Sequence, residues 1–243
     1  MRSLHVIMPM AGEGSRFTKE GWTTPKPLIA LQGVMLFERA IKCFEQLEAP
    51  IKYSFIVRDS HIEHNQIDQH IKKSKPEAHI FSVAQTTRGA VETALLAEPA
   101  IAPDDAVVIV DCDLEFESAA FLQRIKAILE QPAQESSGGL LISFNASDPK
   151  YSYAQVDDDF HVLRCAEKEV ISQHALCGAY FFSSAQSFLS AGHELIESGN
   201  CEKPEFYLSL LYNILLRKGE PVDLIKLDTY YSYGTPSELN EYL

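Results

Sequence analysis

Strand-like and helix-like patterns alternate along the first hundred residues, and no other feature narrows the possible fold so far. LHVIMPM (4–10) reads as a strand and runs straight into a Gly-rich turn. A stripe of Phe37, Ala40, Ile41 and Phe44 at helical spacing then marks a helix over 35–47. YSFIVR predicts a strand, 61–72 a polar helix, HIFSV a strand and AVETALLAE a short helix. AVVIV is an unbroken apolar run, which suits a strand buried on both faces. Strands that alternate with helices are joined by crossovers, so this half predicts a parallel, doubly wound sheet.

The second half is more mixed. It predicts a helix over 119–130, a strand at LLISF, a hairpin around Asp157 to Asp159 and a strand at CGAYFF. Helices over 184–197 and 205–217, the strand VDLIKL and a short helix after Pro236 complete it. The expected fold is α/β, a Rossmann-like mixed and mainly parallel sheet flanked by helices, with an inserted β element. At 243 residues, with no repeat and only QPAQESSGG (131–139) as a candidate linker, a single domain is expected.

Composition excludes several classes. No apolar run approaches the ~20 residues of a membrane span. The first strand is broken by His5 and Pro9 and does not read as a signal peptide, so the expected compartment is the cytoplasm. The five cysteines are scattered and lack a CxxC pair, which argues against a disulfide framework or zinc cluster. A net charge of −13 opposes a broad grip on nucleic acid or anionic membranes. Residues 1–30 nevertheless hold four basic side chains against two acidic ones, a local excess suited to a small anion.

Two constellations carry the chemistry. The turn Met10, Ala11, Gly12, Glu13, Gly14, Ser15, Arg16 follows a strand, with Pro25, Lys26 and Pro27 close behind. Such a turn lets backbone N–H groups approach a polyphosphate while cations neutralise it. It is neither a Walker A loop, lacking a terminal Gly-Lys-Ser/Thr, nor a dinucleotide fingerprint, since Phe17 stands at the third Gly. The buried strand 106–110 then ends in Asp111 and Asp113, which strand periodicity puts on one side with Cys112 opposite. That edge is where open α/β sheets bind ligands, and paired carboxylates invite Mg²⁺ together with phosphate oxygens.

The segment P-M-A-G-E-G-S-R-F followed by P-K-P resembles the signature L-x-G-G-x-G-T-R-L with P-K-P of the sugar-1-phosphate nucleotidylyltransferases, with Ala11 for Gly and Ser15 for Thr. The resemblance implies a GT-A-like nucleotidyltransferase fold over residues 1–243, with a nucleotide half of about 1–115 and an acceptor half of about 116–243. It implies that the loop backbone at Met10, Ala11, Gly12, Gly14 and Ser15 holds a nucleoside triphosphate, with Asp111 nearby, and that Arg16 and Lys26 are catalytic cations on its phosphates. Gln85 and Gly89, in a strand-to-helix turn, would read the base. Asp113 matches the family's metal-binding Asp. Glu167 and Lys168 resemble the E-K pair that contacts the acceptor and its phosphate, while Gly178 and Glu205 fall in similar acceptor segments. G-T-P-S-E-L at 234–239 matches the family's closing motif, but the Asp that commonly precedes it by two residues is Ser232 here. Either Asp228 supplies that carboxylate or Asp113 and phosphates hold the metal alone.

The implied activity is transfer of an NMP group to a sugar phosphate or other small phosphorylated acceptor, with Mg²⁺ and release of pyrophosphate. P-K-Y-S-Y-A at 149–154 resembles a bacterial branch tied to surface-polysaccharide precursors, with a pyrimidine base slightly favoured. Two rivals stay open: a GT-A-type glycosyltransferase gripping a nucleotide sugar through Asp111 and Asp113, and a non-catalytic nucleotide sensor.

Overall fold

A computed structural model describes residues 1–199 and 205–242; Cys201 lies outside the described residues. Strand β1 (Leu4–Pro9) leads through the Gly-rich turn to the one-turn helix α1 (Ser15–Lys19). A small hairpin, β2 (Ala30–Leu31) and β3 (Val34–Met35), precedes α2 (Leu36–Ile41), which tightens into a 3₁₀ segment at Lys42–Gln46. β4 (Ile51–Arg58), α3 (Asp59–Asn65), α4 (Ile67–Ser74), β5 (His79–Val83) and α5 (Ala90–Leu95) follow. The expected single helix at 61–72 is therefore two, because Gln66 adopts a left-handed conformation (φ 53°) that interrupts the helical ladder.

β6 (Ala106–Val110) is followed by β7 (Leu114–Glu117), α6 (Ala119–Leu129), β8 (Gly139–Asn145), and the antiparallel pair β9 (Ser152–Val156) and β10 (Val162–Glu167). Ser118 caps α6 by accepting the Phe121 N–H at 3.3 Å. The chain closes with β11 (His174–Phe182), α7 (Ala185–Ser198), α8 (Ser209–Arg217), β12 (Val222–Lys226), β13 (Thr229–Ser232) and α9 (Pro236–Asn240). α8 starts four residues later than the helical pattern predicts. The Phe206 N–H donates to the Arg88 carbonyl (2.9 Å) and the Val91 N–H to the Phe206 carbonyl (3.1 Å), so the preceding segment is spent on docking against the turn before α5.

The central sheet runs β10-β9-β11-β6-β1-β4-β5, with β8 pairing β11 and β12 pairing β8. β6, β1, β4 and β5 are parallel, as the alternating half predicts, and β11 joins β6 antiparallel, which makes the sheet mixed. Alternation along β1 sends Leu4, Val6 and Met8 to one core, with Phe37, Phe44 and Phe121, and Ile7 to the other, with Val91, Phe188 and Leu211. Helices thus cover both faces, which explains the continuous apolar run of β6. A third cluster packs Phe17 of α1 against Leu36, Tyr233 and Leu239, fixing the Gly-rich turn to the C-terminal segment. Among the described residues, no helix is long and apolar enough to cross a membrane.

Candidate active site

Because β1 and β6 are parallel neighbours, the Gly-rich turn after Pro9 and the two aspartates after Val110 emerge at the same sheet edge. The turn is held from two sides. Arg58, at the end of β4, donates to the Ala11 carbonyl (3.1 Å) and to Thr86 Oγ1 (2.9 Å), and Thr86 in turn donates to Glu13 (3.2 Å). Gly14 takes φ 60° to start α1, a conformation that favours glycine.

These segments surround a cavity of about 680 Å³. Met10, Ala11, Gly12, Gly14, Lys26 and Gly89 line it, together with Asp111 and Asp113. Gly89 has no room for a side chain, since a Cβ there would lie 2.6 Å from the Phe206 backbone nitrogen. Three expected nucleotide contacts stand elsewhere. Gln85 is exposed and lines neither this cavity nor its neighbour, because the turn presents Thr86 and Thr87 inward instead. Ser15 is exposed as the first residue of α1, and Arg16 faces the neighbouring cavity.

That second cavity, about 310 Å³, lies between Arg16, the β9–β10–β11 region and the C-terminal segment. Glu167, Gly178 and Glu205 all reach it, and Asp111, Asp113 and Glu205 belong to both cavities. Gly178 (φ 94°) interrupts the β11 register, and its carbonyl accepts the Asp111 N–H at 2.9 Å. Lys168 is a correction to the expected acceptor-phosphate contact. Its left-handed backbone (φ 53°) turns it off the wall, and its Nζ donates to the Tyr207 hydroxyl at 2.6 Å. The lysine on this wall is Lys150, 2.7 Å from Glu238 Oε1.

The seam between the cavities is electrostatically dense. Lys26 Nζ stands 2.6 Å from Asp113 Oδ2, each side chain 22% exposed. Burial works against the Lys26 ammonium, but the Asp113 carboxylate more than offsets it, so its pKa lies above the ordinary lysine value. Burial, and then the neighbouring Asp113 charge, push the Asp111 carboxyl up to about 7. Glu238 approaches the same seam. A Cβ placed on Gly234 would lie 3.4 Å from both Asp113 Oδ2 and Glu238 Oε2.

Asp228 is a second correction. β13 runs antiparallel to β7 with Thr229 opposite Glu117 and Ser232 opposite Leu114, so Asp228 sits at the far end of β7 from Asp113. Its Oδ2 accepts the Ala119 N–H (2.9 Å) at the start of α6. The seam suits Mg²⁺, which takes one or two carboxylates and otherwise phosphate oxygens and waters. Among the described residues, no group of three or more His, Cys, Asp and Glu side chains gathers as a metal cage.

Several lining residues escape sequence reasoning. His61 and Asn65, from α3, reach the larger cavity, and Tyr151, Tyr180 and Tyr207 the smaller. Burial, with Arg58 nearby, lowers the His61 pKa and favours the neutral ring. Lys150 lies in the P-K-Y-S-Y-A segment and Glu238 in G-T-P-S-E-L, so both were within quoted motifs without a residue-level signal.

No protein-family model and no curated protein matches the chain. Solved structures do. A nucleoside-diphosphate-sugar pyrophosphorylase from Vibrio cholerae RC9 superposes with a TM-score of 0.83 at 26% identity, covering 98% of this chain and 99% of its own. A protein assigned as a glucose-1-phosphate thymidylyltransferase from Bacillus anthracis gives 0.75 at 18%, covering 98% and 93%. The inositol-1-phosphate CTP transferase from T. maritima gives 0.72 at 13%, covering 97% and 91%. The fold is shared along almost the whole chain, and the signature turn stands at its main cavity. The chain is thus similar along almost its whole length to the Vibrio cholerae nucleoside-diphosphate-sugar pyrophosphorylase, and it shares the fold of the other two.

Proposed function

We propose that the protein transfers an NMP group from an NTP to the phosphate of a small phosphorylated acceptor, releasing pyrophosphate. The observation that carries this reading is the pair of cavities meeting at Asp111 and Asp113, one walled by the Gly-rich turn and Lys26, the other by Arg16, Lys150 and Glu167. The larger would take the NTP and the smaller the acceptor, so that the two phosphates meet at the seam. In this reading residues of about 1–115 serve chiefly the nucleotide and 116–243 chiefly the acceptor, within one domain.

An acceptor phosphate oxygen attacks the α-phosphorus. The new P–O bond forms as the bond from the α-phosphorus to the bridging oxygen breaks, and pyrophosphate leaves with that electron pair. A phosphomonoester has its second pKa near ~6, so the nucleophile is already ionised at neutral pH and no catalytic histidine is needed. Catalysis then rests on in-line positioning and charge neutralisation. Lys26 would turn from Asp113 to the nucleotide phosphates. Arg16, on the acceptor side of the turn, would steady the phosphates that meet at the seam, and Lys150 would orient the acceptor phosphate. Asp113, with Asp111 beside it, would hold Mg²⁺, which supplies further neutralisation of the triphosphate.

A pyrimidine base is slightly favoured, and two neighbours named for thymidylyl and CTP transfer support that preference. The proposed setting is the cytoplasm, where NTP is abundant, and the P-K-Y-S-Y-A segment favours supply of surface-polysaccharide precursors. Acceptor-dependent release of pyrophosphate from an NTP tests the reading. Nucleotide binding without release across a broad acceptor panel would favour a sensor instead.

A further inference from the structure

The smaller cavity holds a charge pattern that a phosphate alone does not answer. Among the described residues, its wall carries Asp111, Asp113, Glu167, Glu205 and Glu238 against Arg16 and Lys150. Two of these carboxylates already have ion partners, Asp113 with Lys26 and Glu238 with Lys150. Glu167 has none among the described residues, although it is only 7% exposed. Its Oε2 accepts from two hydroxyls, Ser152 on β9 and Ser209 at the start of α8, the latter at 2.8 Å. Both donors grip the same oxygen, which fixes the carboxylate at the cavity wall.

A buried carboxylate is ordinarily paired, because removing it from water without a counter-charge is costly. Here the adjacent cation acts on Glu167 and Glu205 from a distance, without a direct ion pair among the described residues. Lys168 follows directly in sequence, yet its ammonium lies 4.6 Å from the Tyr207 ring centroid and bonds the Tyr207 hydroxyl. Glu205, from the segment before α8, faces the same cavity and likewise makes no ion pair among the described residues. The rings of Tyr151, Tyr180 and Tyr207 complete the wall, and aromatic faces attract cations.

We infer that the acceptor carries an ammonium group as well as its phosphate, and that Glu167, with Glu205 and the tyrosine rings, receives that ammonium. The inference rests on the transferase reading and narrows its substrate class to zwitterionic phosphomonoesters, whether an amino sugar phosphate or an amino alcohol phosphate. A polyol phosphate without an amine would bring its dianion into a carboxylate-rich cavity and leave both glutamates without a direct ion partner, with Lys168 acting on them only from a distance. A zwitterion matches each half of the cavity, phosphate toward Arg16 and Lys150, ammonium toward Glu167.

The test is pyrophosphate release with Mg²⁺ and each of CTP, UTP, dTTP, GTP and ATP, using acceptors in matched pairs. Glucosamine 1-phosphate is set against glucose 1-phosphate, and phosphoethanolamine against glycerol 3-phosphate, so the arms separate the two sources of the amine. A charge-assisted hydrogen bond of this kind corresponds to roughly 10- to 100-fold. The amine member of one pair is therefore expected to lead by at least about 10-fold in kcat/KM, and Glu167→Gln to bring that ratio to within about 3-fold. Gln can still accept from both serines, and NTP binding and the thermal melt report whether the variant is folded. Glu205→Gln provides a second reading of the same ratio. Release that favours the neutral members, or a Glu167→Gln loss that falls equally on both members of a pair, overturns the inference and leaves the transferase standing. No release with any acceptor overturns the transferase reading, and the inference with it.

Discussion

Gly178→Ala is the substitution for which the structure gives the most definite cost. Gly178 sits at φ 94°, where an L side chain is disfavoured by about 1–2 kcal/mol. A Cβ there would stand 2.7 Å from Asp111 Oδ2 and 2.8 Å from Leu114 Cδ2, both inside ordinary contact distance. Both close atoms are side-chain ends of residues that line the smaller cavity, Leu114 at 2% exposure, so the strain reaches Asp111 as well as Leu114 and is relieved toward that cavity. Overpacking of this kind costs about 1–3 kcal/mol, and with the backbone term the whole penalty is roughly 2–5 kcal/mol. Urea unfolding at fixed m-value reads it directly. Because Asp111 takes part of the displacement, kcat for pyrophosphate release should fall by at least about 10-fold as well. Combining Gly178→Ala with Asp111→Ala removes one of the two close contacts, so the double variant should recover about 1 kcal/mol relative to additivity. A single variant within about 0.5 kcal/mol of the wild type, with normal turnover, would refute the packing argument.

Further outcomes follow from the same seam. Arg16→Ala and Asp113→Ala should each lose at least about 10²-fold in kcat while remaining folded by circular dichroism, the scale of removing one preorganised charge-stabilising group; near-normal turnover would sink both assignments. Asp111, near 4 in an unfolded chain and pushed up to about 7 in the fold, binds its proton more tightly when folded. Stability from this group is therefore fully present below about pH 4 and lost as pH rises toward 7, and Asp111→Asn should flatten that decline in urea titrations. A variant with the wild-type pH slope contradicts it. Burial pushes the thiols of Cys112, Cys165 and Cys177 up to about 12 and that of Cys43 to about 11, so mass-spectrometric mapping should find these four unalkylated at pH 8 until denaturant is added. Alkylation of Cys112 in the native protein would show that its wall opens.

Local signals carried the strands of the parallel half and the two edges they bring together. AVVIV, buried throughout, and the turn after β1 were readable because apolar runs and glycines act locally. The break at Gln66 was not, since a non-glycine in the left-handed region has no local mark. β7 and β13 were missed because each is short and gains its hydrogen bonds only from the other, more than a hundred residues away. That same register decides which C-terminal carboxylate reaches Asp113. Counting residues from the G-T-P motif left Asp228 as the candidate, whereas the antiparallel pairing carries it to the opposite end of β7 and the turn into α9 brings Glu238 to the seam. The E-K pair shows the same limit, because the backbone at Lys168 sends two adjacent side chains to different surroundings.

The most direct test follows the atoms of the nucleotide. NTP labelled in parallel at the α- and γ-phosphorus is incubated with Mg²⁺ and the acceptor panel, and products are resolved by chromatography. The account predicts that α-label moves onto the acceptor while γ-label appears as pyrophosphate, in equal amounts and only when acceptor is present, and that Asp113→Ala abolishes both. Release of γ-label as orthophosphate, or nucleotide turnover that ignores the acceptor, would contradict it.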